Sequence, residues 1–215
     1  MTRRRGQYPA TDPVAGVTQW MEEELAMNGH GPRVLVTAAS KHGATAEMAT
    51  FLARGLAESA AGRRSALSAV AIPVERQPDP SHYDAVVLAS GVYAGRWLES
   101  ARHYAAEHAT ALRGRPVWLL SSGPIGEPPF PPEDAHDAGP LLVLVKARAH
   151  RTFPGRLDKH LLGIGERAVV TAMRAPLGDF RDWAALRAWA EEIAEEIATE
   201  VTGRTTGPAA AASPS

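Results

Sequence analysis

Cysteine is absent from the 215 residues, which excludes disulfides, thiol catalysis, iron–sulfur ligation and cysteine-based zinc sites in one step. That absence is compatible with a reducing compartment, and the expectation is a cytoplasmic protein. An excess of one charge is lacking too: 23 Lys and Arg face 24 Asp and Glu, a formal net charge of −1. No general field draws such a chain to nucleic acid, and no nucleic-acid partner is expected. There is no long hydrophobic run. Arg3, Arg4 and Arg5 lead into QYPATDPVAGV, without the apolar core of a secretory signal, and PLLVLVKARA from Pro140 is broken by Lys146 and Arg148. What is present is ordinary for a globular chain, with 45% hydrophobic and 22% charged residues, and one domain is the default.

The informative passage is RVLVTAASKHGATAEMATFLARGL, residues 33–56. Val34, Leu35 and Val36 form an apolar run without alternation, as in a strand buried on both faces of a parallel sheet. A small polar loop follows at Ser40, Lys41, His42, Gly43, Ala44 and Thr45. Met48, Ala49, Phe51, Leu52 and Leu56 then recur at helical spacing. The loop therefore feeds a helix N-terminus, whose unpaired N–H groups and dipole favour an anion. Hydroxyls at Ser40 and Thr45 add donors, and Gly43 and Ala44 let the backbone come close. The pattern is neither a Walker loop nor a G-x-G-x-x-G fingerprint. The bland alternative is a Ser/Thr-capped helix after a strand.

Strand and helix alternate along the chain: strands at 33–38, 66–72, 85–90, 116–121 and 149–153, helices at 45–60, 97–111, 134–147, 161–174 and 182–200. Alternation implies a doubly wound parallel α/β sheet in an α/β/α sandwich. In the order 2-1-3-4-5 the ligand crevice opens at the carboxyl ends of the first and third strands. Residues 1–31 read as an extension with a weak stripe of Val17, Trp20, Met21 and Leu25, residues 32–201 as the domain, and residues 202–215 as a disordered tail. The glutamates of the last helix, Glu191, Glu192, Glu195 and Glu196, read as a solvated face. His103 and His108, five apart, lack the i, i+4 spacing of a zinc pair, and no metal site is expected.

The loop after the third strand is Ser90, Gly91, Val92, Tyr93, Ala94, Gly95, Arg96, Trp97, in which glycines bracket an aromatic. After the fourth strand come Ser121, Ser122, Gly123, Pro124, Ile125 and Gly126, then a proline-rich stretch with no aromatic before Phe130. Ser-x-x-Gly-x-Thr after a first strand, followed by these two loops in order, resembles the flavodoxin superfamily over about residues 33–200. The resemblance implies a flavodoxin-like fold and FMN as cofactor. It places the phosphate at Ser40 to Thr45, the isoalloxazine ring at Ser90 to Gly95, and the pyrimidine edge at Ser122, Gly123 and Pro124, where exposed N–H groups would serve its carbonyls. Tyr93 is expected at the ring. Trp97 reads equally well as ring contact or core.

Within the superfamily, SKHGATAEMA, SGVYAGRW and HRTFPGRLDKHLLGIGERAVVTAMRAPLGDFRDW resemble the group that includes menaquinone-dependent protoporphyrinogen IX dehydrogenase. That resemblance implies electron transfer between a porphyrinogen and a quinone, with no catalytic protein side chain because the flavin carries the chemistry. It makes residues 157–180 an insertion beside the site and membrane contact at most peripheral. Leu161, Leu162, Ile164, Val169, Val170 and Met173 beside Arg167 and Arg174 would face a porphyrin or a membrane, or else cover the sheet, the reading amphipathic helices favour. A carrier flavodoxin without its own substrate and a non-redox module of the same fold are the alternatives. Near-neutral charge and Lys41, His42 and Arg96 in the loops favour an enzyme over an acidic shuttle. Oligomeric state is open.

Overall fold

The structure, a computed structural model, describes residues 31–123, 125, 135–172 and 174–205, with the backbone alone at Val169 and residues 201–205. The expected extension (1–31) except Gly31, most of the tail, Pro124, Gly126, Phe130 and Met173 lie outside the described residues, so the expectations placed on them are not taken further.

Five parallel strands form the sheet: β1 (Arg33–Ala39), β2 (Ser68–Pro73), β3 (Ala85–Tyr93), β5 (Val117–Ser122) and β6 (Ala149–Phe153). Their order is β2-β1-β3-β5-β6, with short β4 (Arg96–Trp97) hydrogen-bonded to β3 alone. Among the parallel strands this is the expected 2-1-3-4-5. In register, Val36 lies beside Val87 and Ile72 beside Thr37, and Leu88 beside Leu119.

The strands carry near-continuous apolar runs because successive side chains enter different cores. Val34, Val36 and Ala38 pack with Ala85, Val87 and Trp118 under α1 (Ala44–Glu58) and α7 (Trp183–Thr205), where Leu52, Leu56, Trp189 and Ile193 fill the layer. Leu35, Val86, Leu88 and Leu119 point the other way, under α3 (Glu99–Glu107), α4 (Ala109–Arg113) and α5 (Ala138–Val145). Each fully buried leucine here stands for about 2–5 kcal/mol on truncation to alanine.

Several helix boundaries depart from expectation, among them that of the helix expected over 161–174, which runs from Ile164 to Ala172. The helix expected over 45–60 ends at Glu58, and α2 (Ala60–Arg64) begins after Ser59, whose hydroxyl accepts from Gly62 N and donates to Leu56 O, both at 2.8 Å. The helix expected from 97 starts at Glu99, because Trp97 is drawn into β4 beside Val92 and Leu98 stays extended at ψ 143 as the N-cap, with Trp97 N–H on Asp137 Oδ2 and Leu98 N–H on Ser90 Oγ. The helix expected over 134–147 runs from Ala138 to Val145 and stops where Lys146 turns left-handed at φ 53. The last helix opens one residue late, with Asp182 Oδ1 accepting from Ala185 N as its N-cap.

Residues 157–180 lie between β6 and the last helix and outside the five-stranded sheet. A two-stranded ribbon, β7 (Arg156–Leu157) antiparallel to β8 (Gly178–Asp179), closes its base, and α6 (Ile164–Ala172) lies between them. The favoured reading that its apolar residues cover the sheet is overturned. Among the described residues neither core contains one of 157–180, Ile164 is 90% exposed, and Leu161 and Leu177 are about half exposed. Leu162 alone is deeply buried among those described.

Candidate functional site

The first loop forms where β1 gives way to α1. Gly43 takes φ 82 at the N-cap, a left-handed turn that glycine adopts without strain. No side chain caps α1, and its first intrahelical bond runs from Glu47 N to Gly43 O. The N–H groups of the first turn are thus left for a ligand or water. Thr45 is buried beside them, and its hydroxyl makes no hydrogen bond among the described residues. Ser40, Lys41, His42, Gly43, Ala44 and Thr45 are therefore brought together as expected.

The second loop is a hairpin. β3 continues past Ser90 through Gly91, Val92 and Tyr93, and Val92 pairs with Trp97 and Tyr93 with Arg96. Ala94 at φ 48 and Gly95 at φ 72 make the two-residue turn, the positive-φ geometry that matches strand twist. A Cβ on Gly91 would stand 3.2 Å from both Thr45 Oγ1 and Tyr93 Cε2. A side chain at this position would require Thr45 or Tyr93 to give by a few tenths of an ångström, so the glycine favours the close approach of the first and second loops. The third loop approaches the same place, since a Cβ on Gly123, at φ 112, would lie 3.9 Å from Val92 O.

Several expected ligand groups serve the loops instead. Ser90 is fully buried, and its hydroxyl donates to Gly91 O at 2.9 Å while accepting from Leu98 N at 3.0 Å. Ser122 Oγ donates to Met48 Sδ at 3.4 Å. Gly123 N–H is not an exposed donor, because it is spent on Phe153 O at 2.9 Å. Trp97 is core: it is buried, and its indole N–H donates to Ser121 Oγ at 2.8 Å.

Residues without a sequence signal hold the site. Asp137, buried at the start of α5, accepts from Trp97 N at 3.1 Å and Arg96 Nη2 at 3.0 Å, with Arg102 Nε 3.8 Å away. His136 N–H donates to Gly95 O at 2.8 Å. On the other side, Glu47 in the first turn of α1 accepts from both ends of the Arg156 guanidinium at 3.1 Å and from Arg181 Nη1 at 2.6 Å. The Arg181 guanidinium beside Glu47 holds its carboxyl below the ordinary value. Arg181 also pairs with Asp179 at 2.6 Å. The base of the inserted ribbon is thereby fastened to the start of α1. Each of these charges is identical in sequence to an ordinary surface residue, and only the fold brings them together.

Glu166 of α6 reaches the first loop. Its Oε1 lies 2.7 Å from Lys41 Nζ and 3.1 Å from His42 Nε2, and its Oε2 accepts from Gly163 N at 2.8 Å. The Lys41 ammonium and the Gly163 N–H together pull its carboxyl down to about 2. Lys41 Nζ also sits 5.5 Å over the Tyr93 ring, and His42 meets that ring edge-on at 6.1 Å. Burial, then the nearby Glu166 charge, pushes the Tyr93 phenol up to about 12, so it is neutral at physiological pH. The basic residues of the loops are thus countered, Lys41 and His42 by Glu166 and Arg96 by Asp137.

A carboxyl held below its unfolded value contributes fully above that value and loses its contribution as pH falls through the folded one. For Glu166 the window runs from its ordinary 4.5 down to about 2. Amide exchange across residues 158–172 is expected to keep its protection down to about pH 4.5 and to rise steeply toward pH 2. Unchanged exchange across that window would show that Glu166 does not hold α6.

The comparisons agree with this geometry. A model of the flavodoxin domain family matches residues 35–183. No curated protein matches the chain. Among solved structures, an oxidoreductase from Corynebacterium diphtheriae is similar at 15% identity and TM-score 0.51, over 81% of this chain and 99% of that one. The rubredoxin oxygen:oxidoreductase of Desulfovibrio gigas is similar at 12% identity and TM-score 0.50, over 90% of this chain and 42% of that one. At such identities the two structures speak for the fold, while the family match spans β1, the hairpin, the third loop and the inserted segment. The chain belongs to the flavodoxin-domain family.

Proposed function

We propose that this chain binds FMN at the carboxyl ends of β1 and β3 and works as an FMN-dependent oxidoreductase. The observation that carries the reading is the closure of Gly91 on Thr45 and Tyr93 beside an uncapped helix start. These residues suit the cofactor. Unpaired N–H groups and a free hydroxyl match a phosphate, and a hairpin ending in a neutral aromatic matches a flat ring. Bound FMN would supply the redox chemistry, accepting and releasing electrons. The protein's part is anchoring at Ser40, Gly43, Ala44 and Thr45 and ring contact at Gly91, Val92 and Tyr93.

The finer reading is a dehydrogenase of the protoporphyrinogen and quinone type. What supports it is the inserted segment, which adjoins the first loop through Glu166 and exposes Leu161, Ile164 and Leu177 beside the basic Lys159, Arg167 and Arg174. An apolar and cationic surface of this kind suits a large hydrophobic substrate carrying carboxylates. Among the described residues no helix is long and apolar enough to cross a membrane, so such a substrate would be met at a surface.

The test is reconstitution with FMN followed by visible absorption, then turnover with protoporphyrinogen and quinones. Bound FMN with turnover supports the full reading. Bound FMN without turnover supports an electron shuttle, and the absence of flavin binding overturns the proposal. Tyr93→Ala is expected to weaken FMN binding about three- to tenfold, the scale of one lost aromatic contact, and to alter the visible band shape. Unchanged affinity and spectrum would remove Tyr93 from the site.

A further inference from the structure

We propose that Glu166 competes with the bound phosphate for the cations of the first loop, so that phosphate occupancy there and docking of the inserted segment oppose each other. The inference rests on the phosphate reading of that loop and adds a regulation to it.

Two observations carry it. The first is the choice of partners. One carboxylate oxygen engages both the Lys41 ammonium and the His42 ring nitrogen, at 2.7 and 3.1 Å. A phosphomonoester brings about −1.5 to −2 charges at neutral pH. Placed in the same loop with Glu166, it adds like-charge repulsion to a demand for the same donors. The second is how α6 is held. The base of its segment is fixed by Arg156 and Arg181 on Glu47 and by Phe180 N–H on Gly155 O. Beyond that base, among the described residues the hydrogen bonds and ion pairs from α6 to residues outside its own segment run through Glu166, while Arg167 Nε donates to Leu162 O within it. Among the described side chains of α6 none joins either core, and Ile164 is exposed.

A segment pinned at its base and held at its tip by one carboxylate has two accessible positions, docked and released. Anything that weakens the Glu166 contact favours release. By linkage, a phosphate that loosens α6 must bind more tightly once α6 is already loose. Glu166 thus lowers the affinity for FMN and ties occupancy of the loop to movement of the exposed Leu161 and Ile164 surface.

The experiment uses the full chain, Glu166→Gln, and Glu191→Gln on the exposed face of α7 as a charge control. FMN affinity is measured by flavin fluorescence. Tryptic cleavage after Lys159, Arg167 and Arg174 is timed in inorganic phosphate against chloride of equal ionic strength. Glu166→Gln is expected to bind FMN about three- to tenfold more tightly, the scale of one partly exposed ion pair. It should also be cut faster without phosphate. Phosphate should speed cleavage of the parent and leave Glu166→Gln unchanged, while Glu191→Gln follows the parent in every assay.

If the parent binds FMN and Glu166→Gln binds it no better or more weakly, the competition is wrong and the cofactor stands. If neither binds FMN but phosphate still speeds cleavage of the parent alone, the cofactor reading falls and the competition stands. If phosphate changes nothing and neither binds FMN, both fall. An equal gain in Glu191→Gln would reduce the effect to net charge and overturn the proposal.

Discussion

Replacing Asp137 by alanine is expected to cost about 2–4 kcal/mol of stability, the range for removing one partner of a buried, hydrogen-bonded charge. The carboxylate is buried and holds three groups from two elements. Their contributions are unequal. Arg96 is 60% exposed, so its ion pair is screened and adds little. The weight falls on the other two. Trp97 N–H has Asp137 as its acceptor, and Arg102 Nε is a buried donor with no hydrogen-bond partner, balanced only by the Asp137 charge 3.8 Å away. Alanine would orphan the first and leave the second without a counter-charge. Asp137→Asn keeps an acceptor for Trp97 and loses the charge, so it should cost roughly half as much.

The effect should also be local. Trp97 pairs with Val92 and Arg96 with Tyr93, so the groups that Asp137 holds are one strand of the hairpin that meets Thr45. Urea denaturation with unchanged slope measures the stability, and amide exchange at residues 91–97 measures the loosening. A loss below about 1 kcal/mol with unchanged exchange would mean that strand pairing and the Trp97–Ser121 bond suffice to hold the hairpin.

What could be read from the sequence divides along a physical line. Strands β1, β3 and β5 declare themselves because, apart from the end residues Arg33, Val92 and Tyr93, both faces are covered and the residues are apolar or small. The first loop declares itself because its chemistry is contiguous: a glycine turn, two hydroxyls and a helix start within six residues. What was hidden depends on residues far apart in the chain. Glu166 lies 124 positions from His42, and Asp137 lies 40 from Trp97. No local pattern marks either. The late start of α3 has the same origin, since Trp97 is taken into the hairpin by its pairing with Val92 and its bond to Asp137.

The basic look of the loops misled for a related reason. Lys41, His42 and Arg96 favour an enzyme over an acidic shuttle only while they are unpaired, and the carboxylates that pair them arrive from α6 and the start of α5. The case for an enzyme passes from loop charge to the inserted segment, whose apolar residues the fold leaves outside both cores.

Thr45→Val is expected to weaken FMN binding about 10- to 100-fold, since a hydrogen bond to a charged group is worth roughly 1.5–3 kcal/mol. The substitution nearly conserves shape and removes one hydroxyl. That hydroxyl is the group around which the first two loops close, 3.2 Å from where a Gly91 Cβ would stand. Thr45 is buried as a residue and its hydroxyl hydrogen-bonds no other described residue, so its removal should leave the fold about as stable as before. Affinity is then separable from folding: the thermal midpoint without flavin should hold while the FMN titration weakens. Thr45→Ser, which keeps the oxygen, should recover most of the loss. Riboflavin, which lacks the phosphate, should bind parent and Thr45→Val alike. If Thr45→Val binds FMN as tightly as the parent, the phosphate does not lie at the start of α1. If it weakens riboflavin as much as FMN, Thr45 shapes the ring contact through Gly91 and does not hold the phosphate.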